Sequence, residues 1–185
     1  MNFEDINDLK KMESILSDFS IRLDDNEYDD EEEHESEVNE ISHDVIREAA
    51  KRASELGSLV GSHLYGILLA REASNLEEHS QAQNELQRKA KELVMKAAQL
   101  GCWGAMDDLA TENVGLLGTS NIEQITYLML SESSDVQGHI QYCNKHLNAN
   151  ITDAEVAIAT ELHDQLIKKM KKNGIEKKSC DCIFI

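Results

Sequence analysis

The chain has 185 residues, contains no proline, and carries 18 Lys and Arg against 36 Asp and Glu, a formal net charge of −18. This length suits a single domain with its own core, and an apolar fraction of 41% with only 4% aromatic residues favours helices over strands. The negative charge disfavours nucleic-acid binding, because phosphates would be repelled by most of the surface, and makes basic proteins the natural partners.

The first two predicted segments are an amphipathic helix and an acidic linker. Over residues 1–23, apolar side chains recur at spacings of three and four, which predicts the helix. Residues 24–38 consist mainly of Asp and Glu and predict a disordered linker, which is also suited to attract a basic partner. Because the chain lacks the pattern of a secretory signal and any long apolar run, we expect a cytoplasmic protein.

Residues 39–170 show helical periodicity and contain two stretches that match at a period of 44 residues. These stretches are 53–66, ASELGSLVGSHLYG, and 97–110, AAQLGCWGAMDDLA. In each, a helix end is followed by a glycine, Gly57 or Gly101, and by a small residue four positions later. The glycines predict left-handed helix caps, and the small residues predict two closely packed helices.

These residues resemble the Sel-one-like repeat family, whose unit runs close to K-A-A-x-x-G-x-x-x-A-x-x-x-L-A/G. Residues 96–110 fit every position of this unit, and residues 52–66 are a degenerate copy. The resemblance implies an all-α fold, a short tetratricopeptide-like α/α solenoid of antiparallel helical hairpins with a concave surface that binds proteins. The array would close with a helix over 153–170, which begins at a predicted capping box from Thr152 to Glu155.

No catalytic or phosphate-binding motif is present in the sequence, which predicts a protein without enzymatic activity or cofactor. One set of side chains has metal-ligand spacing, namely His139, Cys143 and His146 on one helical face. We prefer the alternative, a helix that buries Cys143 and places the histidines at its edges. Trp103 and Tyr65 lie at or beside matched repeat positions, and each is expected either to pack in the core or to bind a partner.

Residues 171–185 form a basic tail that closes with the sequence Cys-Ile-Phe-Ile. This C-a-a-X order is the signal for prenylation of Cys182, and Cys180 is placed for a second lipid. Lysines at and before the tail would add attraction to an anionic membrane. They are Lys168, Lys169, Lys171, Lys172, Lys177 and Lys178. The alternative is an apolar tail that packs on the domain or on an oligomer partner.

Two functions are therefore expected for the chain. The first is a protein–protein interaction adaptor or scaffold, which is membrane-tethered if Cys182 is prenylated, either in a eukaryotic protein or in a bacterial effector modified by its host. The second is an acidic immunity protein or inhibitor that masks a basic toxin or enzyme. A hydrolase on a repeat scaffold is a third hypothesis, for which the sequence shows no nucleophile with a base.

Overall fold

A computed structural model of the chain describes residues 10–12, 14, 43–111, 114–131, 135–146 and 149–176. Over the part from residue 43 onward it contains eight helices and no β-strand, which confirms the all-α prediction. The helices are α1 (His43–Glu55), α2 (Leu59–Ser74), α3 (Gln81–Gln99), α4 (Trp103–Ala110), α5 (Val114–Leu117), α6 (Asn121–Leu130), α7 (Val136–His146) and α8 (Asp153–Lys172).

The predicted N-terminal segments lie almost entirely outside the described residues. Residues 10–12 and 14 are helical, and Met12 packs against the main core, whereas the rest of 1–23 and the whole of 24–38 are not described. None of the described helices combines the length and the apolarity that crossing a lipid bilayer requires.

Polar side chains define where four of the helices begin. Ser58, Ser80, Ser120 and Thr152 each accept a hydrogen bond from a backbone N–H in the first turn of the helix that follows. At Ser120 and Thr152 the third helical residue is a glutamate that bonds back to the cap backbone. The predicted capping box at Thr152 is therefore confirmed.

The two matched glycines end their helices in the same way. Gly57 has a φ of +90° and Gly101 a φ of +99°, so both adopt the left-handed conformation that was predicted. After each glycine the chain bonds back to the helix, through Ser58 N–H to Ala53 O at 2.9 Å and through Cys102 N–H to Ala97 O at 3.0 Å. Both turns are Schellman motifs that reverse the chain into the next helix.

The first four helices pack against one another in chain order, α1 against α2, α2 against α3 and α3 against α4, whereas α4 packs against α6 and α6 against α8. Glycines of α2, which have no side chain, allow α1 and α3 to approach this helix closely. A Cβ atom added to Gly61 would lie 2.5 Å from Ala53 Cβ, and one added to Gly66 would lie 2.6 Å from Val94 Cγ2. The predicted tight contact of α1 with α2 at a small residue is thus present.

Two groups of buried side chains hold the helices together. The larger group extends from Ile46 of α1 to Leu130 of α6 and includes Met170 near the end of α8. The smaller group joins α6, α7 and the beginning of α8 and includes Cys143 and Ala159. Because α8 contributes to both groups, it connects the last helices to the rest of the core.

Candidate functional site

A groove with a volume of about 330 Å³ lies between α3, α6 and α8. Its apolar side chains are Met95, Tyr127, Leu162 and Leu166. The apolar surface continues beyond the groove, because Ile158 lies one turn before Leu162 on α8 and is also exposed. Three helices that are separated along the chain therefore form one apolar, accessible surface.

Hydrogen bonds fix the polar side chains of this groove. Gln99 donates from Nε2 to the hydroxyl of Tyr127 at 3.5 Å. Burial raises the pKa of Tyr127, and the hydrogen bond from Gln99 opposes this only in part, so the phenol stays neutral at physiological pH. The floor of the groove consequently offers an apolar ring with an uncharged hydroxyl.

An ion pair between α3 and α6 includes Glu123, one of the residues that line the groove. Lys91 Nζ lies 2.6 Å from Glu123 Oε2 and also donates to Gly118 O at 3.0 Å. Partial burial tends to raise the pKa of Glu123, but the hydrogen bonds from Lys91 and Ser120 outweigh it and hold that pKa below its usual range. Glu123 is therefore a carboxylate at neutral pH and is already occupied by a cation of the same chain.

A second candidate site lies between α2 and α4. His63 of α2 is hydrogen-bonded through Nε2 to Asp108 Oδ2 of α4. The other ring nitrogen of His63, Nδ1, lies 3.9 Å from Cys102 Sγ. Cys102 is fully buried, and the side chains of His63 and Asp108 are 9% and 13% exposed. The fold thus brings together a thiol, an imidazole and a carboxylate.

No sequence motif indicates this group, because its members are distant from one another along the chain. One signal was present in the two matched stretches, where Cys102 occupies the position of Ser58. Ser58 accepts a hydrogen bond from the N–H of Gly61 and caps α2, whereas the Cys102 side chain makes no such cap bond at the start of α4. The thiol at this position therefore does not replace the capping hydroxyl of the first stretch.

The two predicted partner-binding aromatic residues have different environments. Tyr65 is 7% exposed and belongs to the main core, with Lys89 Nζ 5.6 Å from its ring centroid. The ring of Tyr65 is therefore enclosed by the helices, in agreement with the core-packing alternative. Trp103 is half-buried, and its Nε1 donates to Ser131 O at 3.2 Å. Neither residue lines the groove.

The predicted metal ligands are only partly described. Cys143 is buried, and Gln124 Nε2 lies 3.7 Å from Cys143 Sγ and 3.2 Å from His139 Nε2. Burial lowers the pKa of His139, and it raises the pKa of Cys143 despite the hydrogen bond from Gln124. The side chain of His146 lies outside the described residues. Among the side chains that are described, no three of His, Cys, Asp or Glu are grouped to hold a metal ion.

The basic end of the chain is described as far as Glu176. Four of the predicted membrane-facing lysines, Lys168, Lys169, Lys171 and Lys172, are exposed on the last turns of α8. After α8 the backbone of Glu176 passes so close to Gly101 that an added Cβ atom there would lie 2.5 Å from Glu176 O. The remaining residues of this prediction, Lys177, Lys178, Cys180 and Cys182, lie outside the described part.

Comparison with family models, with curated proteins and with solved structures gave no match. The resemblance to Sel-one-like repeats therefore stays a prediction that depends on residues 52–66 and 96–110. The function has to be inferred from the arrangement of the helices and their side chains.

Proposed function

We propose that the chain is a protein-interaction adaptor or scaffold of stacked helical hairpins, and that its groove between α3, α6 and α8 binds an amphipathic helix of a basic partner. The observation that supports this most directly is the apolar surface formed by the groove and by Ile158 and Leu162 of α8. An amphipathic helix binds such a groove through apolar residues three and four positions apart.

Charge indicates the kind of partner. The chain has a net charge of −18, and Glu161 and Asp164 are exposed on either side of Leu162 in α8. A helix with an apolar stripe bordered by Lys and Arg would match this pattern, and the charges would accelerate its association with the groove. Lys169 lines the groove at the lysine-rich end of α8, so a basic segment would bind less favourably at that end of the groove.

The test is a pair of matched substitutions. Leu162→Glu places a charge in the groove, and Leu76→Glu places the same charge just after α2; the two leucines are 38% and 37% exposed. We expect the wild-type chain and L76E to retain the same partners in affinity capture and cross-linking, and L162E to lose them. Equal capture by L162E would contradict binding in the groove, provided that both variants unfold at the same urea concentration as the wild type.

An acidic inhibitor is the competing function, and the same assay distinguishes it. Neutralising the acids of residues 29–33 to Asn and Gln in the full chain would abolish binding to a basic toxin or enzyme and would leave binding in the groove largely intact. Loss of the partner in this variant, together with its retention by L162E, would identify the inhibitor.

We also propose that prenylation of Cys182 tethers the adaptor to a membrane, with Cys180 available for a second lipid. The exposure of Lys168, Lys169 and Lys171 at the end of α8 supports this, because each lysine near an anionic leaflet adds about 1 kcal/mol of attraction. Fractionation of eukaryotic cells that express the chain should find it with membranes, and the Cys182→Ser variant in the soluble fraction. A wild-type chain distributed like this variant would rule out the tether.

A further inference from the structure

We propose that Cys102, His63 and Asp108 form a reactive-thiol site in which His63 accepts the thiol proton and the thiolate reduces a small hydroperoxide. This function is separate from the proposed groove, because none of the three side chains lines it. The sequence shows no nucleophile paired with a base. In the fold, however, the thiol of Cys102 at the start of α4 lies beside the imidazole of His63 in α2.

The hydrogen bond between His63 and Asp108 sets the direction of proton transfer. A carboxylate can only accept, so Nε2 of His63 must carry the proton in its bond to Asp108 Oδ2. This leaves Nδ1 with a free lone pair, 3.9 Å from Cys102 Sγ. Nδ1 can therefore accept the thiol proton, and Asp108 then stabilises the imidazolium that results.

The position of Cys102 at the start of α4 favours the thiolate further. Cys102 is the N-cap residue of this helix, and its sulfur makes no cap hydrogen bond to the first turn. The positive end of a helix dipole stabilises an anion at this place, as it does for other activated cysteines. The matched Ser58 instead uses its hydroxyl as a cap that accepts a hydrogen bond from Gly61 N–H.

Burial restricts the substrate. Cys102 is fully buried, and the cluster reaches the surface only through the slightly exposed side chains of His63 and Asp108. Large disulfides and protein thiols would be excluded, whereas hydrogen peroxide is small enough to enter with a minor opening between α2 and α4. The enclosure would also protect the oxidised cysteine from attack by other thiols.

The reaction balances with peroxide as the only co-reactant. The thiol proton moves to His63 Nδ1, and the thiolate sulfur attacks one oxygen of hydrogen peroxide. A sulfur–oxygen bond forms as the oxygen–oxygen bond breaks, so the sulfur is oxidised by two electrons and the peroxide is reduced. The departing hydroxide takes the proton from His63 and leaves as water, while Cys102 remains as a sulfenic acid.

Cys143 provides an internal control for the experiment. It is 1% exposed against 0% for Cys102, but its sulfur lies near the amide of Gln124 rather than near an imidazole with a carboxylate. The full chain would be treated with hydrogen peroxide, the peroxide would be removed, and the chain would be unfolded in guanidinium with dimedone present, so that the sulfenic acid already formed at each cysteine is labelled and quantified by peptide mass spectrometry. We expect Cys102 to react at least about tenfold faster than Cys143 at pH 7, a modest share of what general base catalysis contributes.

Two variants test the roles of the other residues. His63→Gln should lower the rate at Cys102 to about that of Cys143, and Asp108→Asn should lower it in part, each in protein that remains folded by circular dichroism. The His63→Gln deficit should disappear at about pH 10, where an ordinary thiol ionises without help. A purely structural role of His63 would change the rate at every pH.

Three results would overturn the proposal. They are equal rates at Cys102 and Cys143 in the wild-type chain, no reaction at Cys102, and a His63→Gln effect that persists unchanged at about pH 10. If His63→Gln does not fold, the Asp108→Asn variant provides the test. An unchanged rate of sulfenic acid formation at Cys102 in that variant would also overturn the proposal.

Discussion

The first hairpin, α1 with α2, and the second hairpin, α3 with α4, contain the same turn in different surroundings. Gly57 and Gly101 share a left-handed φ and the same pair of backbone hydrogen bonds. An added Cβ atom at Gly57 would meet no atom within 4 Å among the described residues, whereas one at Gly101 would meet Glu176 O at 2.5 Å. The residues next to each glycine therefore determine the shape of the turn. Contacts with residues far away in the sequence determine how strongly a larger side chain at the glycine would disturb the fold.

The ion pairs at matched positions of the two hairpins also differ, because the pair in the second hairpin is the more buried one. Lys91 in α3 occupies the position that Arg47 has in α1, 44 residues earlier. Arg47 pairs with Glu72 across two side chains that are 49% and 43% exposed, and Lys91 pairs with Glu123 across side chains that are 22% and 27% exposed. The second hairpin thus contacts later parts of the chain at two points, Lys91 with Glu123 and Gly101 with Glu176, whereas the matched Arg47 pairs with Glu72 of its own hairpin.

The largest expected effect is a difference between two glycine substitutions. Gly101→Ala forces a left-handed alanine and a clash with Glu176, which together should lower the free energy of unfolding by about 3 kcal/mol. Gly57→Ala imposes the backbone strain alone and should lower it by about 1 kcal/mol. Urea unfolding followed by circular dichroism measures both. Equal losses would show that the contact between Gly101 and Glu176 contributes nothing to stability.

A smaller difference is expected between the two cation substitutions. Lys91→Met removes a partly buried ion pair and a bond to Gly118 O, and should lower the free energy of unfolding by about 1.5 kcal/mol. Arg47→Met removes an exposed pair and should lower it by only about 0.3 kcal/mol. Paired unfolding curves at low and high salt make the comparison. If Arg47→Met lowered the free energy of unfolding as much as Lys91→Met, the difference in exposure of the two ion pairs would not determine their contribution to stability.

The smallest expected effect is the pH dependence of the Lys91–Glu123 pair. Because the pKa of Glu123 is lowered in the folded chain, its stabilising contribution is complete above the ordinary glutamate pKa and is lost as the pH falls through the lowered value. The stability difference between the wild type and Glu123→Gln should therefore be present at pH 7 and should shrink in acid. A difference that stays constant down to about pH 2 would contradict this assignment of the ionised pair.

Several sequence predictions were correct because their causes are local. The helical pattern from residue 43 onward, the caps at Gly57 and Gly101 and the capping box at Thr152 were all found in the structure. Each depends on residues within about six positions of one another along the chain. The sequence alone also sets the net charge of −18, from which a basic partner is expected.

Other features depend on which helices meet, and the periodicity of each helix does not contain that information. The repeat positions left open whether Tyr65 packs in the core or binds a partner, and packing of the neighbouring helices buries it. The contact between Cys102 and His63, on which the proposed thiol site depends, joins two residues that lie 39 positions apart in the sequence. Only the tertiary structure decided these contacts, because the distance between two side chains on different helices depends on how their backbones cross and not on the order of residues in either one.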